Sequence, residues 1–81
     1  MEVRIRLGTE IARFARAPVL TVELPDGANV SDLLDRLAAQ NPDLAPVLRS
    51  ALPIVEGAHV ERATTLAHGC ELALLTPAAG G

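Results

Sequence analysis

The spacing of apolar residues changes near residue 29 of this chain and changes back after residue 53. Before Pro25 the spacing is two. In VRIRL, Val3, Ile5 and Leu7 alternate with Arg4 and Arg6, and in VLTVEL, Leu20, Val22 and Leu24 alternate with Thr21 and Glu23. A strand turns successive side chains to opposite faces, so each run is a strand with one buried face. From Asn29 the segment NVSDLLDRLAAQNP places Val30, Leu33, Leu34, Leu37 and Ala38 along one stripe of a helix. After Pro53 the short pieces IV, AHV and CELALLT return to strand character, with Leu72 and Leu74 on one face and Ala73 and Leu75 on the other. The order is β-β-α-β-β-β. A single amphipathic helix among strands is buried most economically by an α+β fold, in which a mixed sheet of four or five strands wraps over that helix.

Local signals mark the boundaries. Asn29 is a favourable N-cap, Asp32 sits where the helix dipole favours an acid, and Asn41-Pro42 is a stop. Pro25-Asp26-Gly27 closes the second strand, and a turn at Gly69 launches the last one. The connector GTEIARFARA is long for a hairpin, so it should hold a helical turn that tucks Ile11 and Phe14 under the sheet. DLAPVLRSAL should add a turn that closes the open end of the core with Leu44, Val47 and Leu48. The chain of 81 residues shows no internal repeat or linker and is too short for a second core. It reads as one domain over residues 1–76 with a tail over 77–81.

Composition narrows the function. Net charge is −3 and Phe14 is the only aromatic residue, which argues against a nucleic-acid surface with its basic stripe and stacking platforms. No apolar run approaches a membrane span, and MEVRIRLG lacks a signal-peptide core. Cys70 is the single cysteine, so no internal disulfide forms, and a cytoplasmic location is expected. All seven basic residues are Arg. Coding bias accounts for the missing lysines; so does a need to keep attacking amines away from an activated C-terminus.

The ending TPAAGG raises a question of its own. Terminal glycines add no packing and have the largest backbone entropy to lose. Together with the VRIRL strand, the ANVSDLLDRLAAQNP helix and the LAHGCELALL turn and strand, this tail resembles the ubiquitin-like β-grasp sulfur carriers, the MoaD/ThiS family. Within that family the chain is most similar to the small subunit of molybdopterin synthase. The resemblance spans the whole chain. It implies that the Gly81 carboxylate is adenylated by an E1-like enzyme that uses ATP and is converted to a thiocarboxylate for sulfur transfer, most readily in molybdenum cofactor biosynthesis. The chain itself would bind no cofactor and hold no independent active site. Its partners would be the E1-like adenylating and sulfurtransferase enzyme and a larger acceptor subunit, with no nucleic acid or membrane.

On this reading Gly80 and Gly81 are the reacting end, free of any Cβ that a narrow tunnel would exclude. Ala78 and Ala79 are nearly as small, and Pro77 stiffens the base of the tail. Ala73, Leu75 and His59 are the expected partner-binding positions on the globular part. An ordinary surface leucine is the other reading of Leu75. The chain departs from the family's usual pattern where Leu74-Leu75 replaces a Phe pair, Gly8 replaces a Phe after the first strand, His59 replaces an apolar residue, and Cys70 replaces an Asp in the turn. Cys70 reads as a small turn residue. His59 and His68 lack the spacing and company of a zinc site, so no metal is expected. Asp32 and Asp35 read as a solvated face and a dipole partner. Sulfur carriers for thiamine, cysteine or natural products, a non-activated binding module, and a protein modifier are the alternatives.

Overall fold

The computed structural model describes residues 1–77. Five strands form one mixed sheet in the order β2-β1-β5-β3-β4, where β1 is Glu2–Leu7, β2 Val19–Glu23, β3 Leu52–Val55, β4 Ala58–His59 and β5 Glu71–Leu75. β1 pairs antiparallel with β2 and parallel with β5, and β3 pairs antiparallel with both β5 and β4. The first and last strands therefore lie side by side in the middle of the sheet. This is the ubiquitin-like β-grasp arrangement expected from the sequence.

Helix α2, Val30–Gln40, is the element that the sheet wraps. Its Val30, Leu33, Leu34 and Leu37 are buried, against Val3, Ile5, Val22, Leu72 and Leu74 on the inner face of the sheet. Asn29 and Asp32 form a reciprocal capping box: Asn29 Oδ1 accepts from the Asp32 amide at 2.8 Å, and the Asn29 amide donates to Asp32 Oδ2 at 2.9 Å. The other amides of the first turn are also satisfied. Val30 and Ser31 donate to the carbonyls of Thr64 and Arg62, at 3.0 and 2.9 Å, and Leu33 donates to Asn29. The loop after β4 is thereby stitched to the start of α2, and Leu66 from that loop is buried in the core.

A 3-10 turn, Pro42–Leu44, and a short helix α3, Ala45–Leu48, bury Leu44 and Leu48 over the end of the core, as expected. At the end of α3 and just beyond it the carbonyls of Leu48, Arg49 and Ala51 all accept from one nitrogen of Arg62, at 3.2, 3.0 and 3.4 Å.

The connector between β1 and β2 holds a two-turn helix, α1, Thr9–Ala15. Ile11 is buried as expected, but Phe14 is not tucked under the sheet: it is 56% exposed. The side of α1 that packs on the core carries Ile11, Ala12 and Ala15. At about 100° per residue Phe14 falls well off that side.

Candidate functional site

The inner face of β5 carries Leu72 and Leu74, both fully buried. The outer face carries Glu71, Ala73 and Leu75, because successive side chains alternate. Register then decides which residues stand beside them, since cross-strand partners point to the same side. Leu75 is opposite Leu52 of β3, and Ala73 is opposite Ile54, which is in turn opposite His59 of β4. On the other flank Ala73 is opposite Arg6 of β1. Leu52 and Ile54 are half-buried and Leu75 is 43% exposed. The outer face thus holds an apolar patch of Leu75, Leu52, Ile54 and Ala73, edged by His59 on one side and by Arg6 on the other.

Three of the expected partner-binding residues, Ala73, Leu75 and His59, meet on this patch. Leu52, Ile54 and Arg6 belong to it and were not anticipated. The sequence signal for the two aliphatics is the alternation in LPIV, where Pro53 turns inward and is buried between them. Arg6 forms a surface pair with Glu71 at 3.5 Å, along the same face. Such an exposed pair orders the two side chains more than it stabilises the fold.

Gly8 follows β1 and marks where the tail leaves the sheet. Its amide donates to the Leu74 carbonyl at 2.8 Å, extending the parallel ladder by one bond. A Cβ at Gly8 would lie 3.2 Å from both that carbonyl oxygen and Leu75 Cδ2, so the Leu75 side chain lies across the glycine. Pro77 follows at the base of the tail. Ala78, Ala79, Gly80 and Gly81 lie outside the described residues.

Other sequence candidates take structural places. Asp32 is occupied in the capping box, while Asp35 is exposed on α2. Cys70 is half-buried in the turn around Gly69, whose φ is +76°, and its amide donates to Ala67 at 3.1 Å. His68 lies 3.8 Å from Asp26 at the surface, away from any third ligand, and no cluster of three metal-ligating side chains occurs among the described residues. A shallow groove between α1 and the start of β2, lined by Leu7, Ala12, Arg13, Arg16 and Pro18, lies across β1 from β5 and gathers no catalytic pair. Among the described residues no helix is long and apolar enough to cross a membrane.

A model of the ThiS family matches residues 5–81, from β1 through the two glycines. The chain belongs to the ThiS family. Solved structures agree in fold. Small archaeal modifier protein 1, SAMP1, from Haloferax volcanii is 26% identical over the whole of both chains, with a TM-score of 0.87. A putative molybdopterin converting factor subunit 1 from Pyrococcus furiosus is 19% identical over 96% of this chain and 99% of that one, with a TM-score of 0.85. A chain in a complex of molybdopterin-converting factor subunits 1 and 2 from Helicobacter pylori is 21% identical over the whole of both chains, with a TM-score of 0.68. No curated protein matches the sequence. The chain is thus a ubiquitin-fold member of a sulfur-carrier family.

Proposed function

We propose that this ThiS-family chain carries sulfur as a thiocarboxylate on Gly81, and that it does so as the sulfur-donating subunit in molybdopterin synthesis. The observation that supports this most is positional. The Gly-Gly end falls inside the family match, and only four residues separate it from β5, whose outer face joins the exposed apolar patch. A partner that grips Leu75, Leu52 and Ile54 thereby holds the base of the tail at a fixed place and receives its end.

The chemistry needs two displacements. A Gly81 carboxylate oxygen attacks the α-phosphorus of ATP, and pyrophosphate leaves with the bonding electrons. Hydrosulfide, supplied by the sulfur donor, then attacks the acyl carbon, AMP leaves with the electrons of the broken carbon–oxygen bond, and the product is the thiocarboxylate. Nothing in these steps requires an acid, a base or a metal from the carrier. Its contribution is to present an unhindered carboxyl group, much as a cofactor carries a group between active sites. A larger acceptor subunit would be the second partner, since the similar chain from Helicobacter pylori is found in a complex of molybdopterin-converting factor subunits 1 and 2.

The experiment is intact-mass measurement after incubation with an adenylating enzyme, ATP and a sulfur donor. The expected result is exchange of one oxygen for sulfur, lost when Gly81 is deleted. No exchange, under conditions where a control carrier converts, overturns the reading. A second reading, attachment of Gly81 to lysines of other proteins, is favoured by the 26% identity to SAMP1. Adducts of higher mass on immunoblots, absent from the Gly81 deletion, would support it.

A further inference from the structure

We infer that the folded chain is a one-way acyl donor: once its own C-terminus is activated, it has no free amine with which to accept an acyl group from a second copy. The inference rests on the reading of Gly81 as the activated end, and it adds a limit that the reading does not contain. Two independent observations carry it.

The first is chemical. The 81 residues include seven arginines and no lysine, so no ε-amine is present. A guanidinium stays protonated in a protein and does not attack an acyl carbon. Within these 81 residues the α-amine of Met1 is the other amine.

The second is structural. The Met1 ammonium donates to the Leu24 carbonyl. It also lies 3.7 Å from Glu23 Oε2 and 3.8 Å from Asp26 Oδ1. The Met1 side chain is 1% exposed and packs against the core, which fixes the terminus beside the end of β2. The Leu24 amide donates back to the Met1 carbonyl at 2.8 Å, so residue 1 is held through both of its backbone ends.

An amine attacks through its lone pair. In self-conjugation the Met1 nitrogen would form a bond to the Gly81 carbonyl carbon of another copy, a proton would pass to solvent, and AMP would leave with the electrons of the broken carbon–oxygen bond. Before that, the nitrogen must release the Leu24 carbonyl and withdraw from two carboxylates. Cys70 is the other strong nucleophile, and its acyl product is a thioester, which added thiol reverses. The consequence is that any conjugate the chain forms is one unit long at each site: it is not itself extended into a chain.

The test has two arms on the 81-residue protein. In the first, an N-hydroxysuccinimide acetate ester reacts with native and guanidine-denatured protein near neutral pH, followed by intact mass. The native protein should take up one acetyl group at about one-tenth of the denatured rate, the loss expected from one charge-assisted hydrogen bond. Glu23→Gln with Asp26→Asn should raise the native rate, and equal native and denatured rates overturn the inference. In the second, the protein is incubated with an adenylating enzyme and ATP, without a sulfur donor. Wild type should give no carrier–carrier adduct that survives thiol, while Arg13→Lys, exposed on α1, should give one. A thiol-resistant wild-type adduct overturns the inference. Failure to form any adenylate counts against the proposed function instead, and the acetylation rates then decide the inference alone.

Discussion

Gly8 and Leu75 constrain one another. The φ at Gly8 is −63°, an ordinary value, so the glycine is required by closeness and not by its dihedral. Of its two neighbours at 3.2 Å, the Leu75 methyl can swing away but the Leu74 carbonyl is fixed by its ladder bond. Gly8→Val should therefore lower stability by about 1–3 kcal/mol, an overpacking cost read from the urea midpoint, and should displace Leu75 from its place over the strand. Asn29 offers a second residue-level check. Replacing it with Ala removes the side-chain half of the capping box and should cost about 1 kcal/mol, which in a domain of this size lowers Tm by about 4–8 °C. Asn29 was legible in the sequence because its role is local, a short polar side chain just ahead of an apolar stripe. Gly8 was not. Its neighbours come from residues 74 and 75, and no local pattern announces a contact made across that separation.

Among the elements, α2 was readable because period, cap and stop agreed over eleven residues. α1 spans seven residues, too few to show which side turns inward, and Phe14 was assigned to the core on its hydrophobicity alone. β3 was read only in part because Pro53 interrupts its appearance as a strand, although the proline faces the core between Leu52 and Ile54. β4, at two residues, is defined by its pairing with β3 and carries little signal of its own. The loop after β4 has no periodicity, yet it ties two helices together: its carbonyls accept from the first turn of α2, and its Arg62 guanidinium gathers three carbonyls at and after the end of α3. Arg62→Ala should loosen that loop first. The measurement is amide hydrogen exchange: faster exchange at Val30, Ser31 and Leu66, with β1 and β5 unchanged at the same denaturant concentration. Uniform acceleration across the sheet would mean that the clamp is not a local device.

At the scale of the molecule, the core cluster of the described residues runs from Val3 to Leu74. Removing residues 78–81 should leave the thermal unfolding curve within about 0.5 kcal/mol of wild type, while abolishing sulfur transfer. Leu75→Asp should do something different: nearly unchanged stability, and at least a tenfold loss of affinity for the activating enzyme, measured by titration calorimetry, as expected if an apolar anchor is lost from the centre of an interface. The two variants separate docking from chemistry. At the base of the candidate site Ala73, Leu75 and His59 were legible and Leu52, Ile54 and Arg6 were not, while the glycines of its end lie outside the described residues. Small residues and two glycines are visible in any linear reading, whereas the patch exists only because β5 is inserted between β1 and β3.

That insertion also bears on how the molecule can be dismantled. A strand flanked on both sides is released only by breaking two ladders together, and β5 is the strand to which the C-terminal segment is attached. An unfolding motor that took hold of that segment would load the best-braced strand of the sheet at once, rather than peel away an edge such as β4. The C-terminal segment is thus a poor handle for degradation, and on the proposed function a carrier emptied and reloaded many times would gain a longer working life from it.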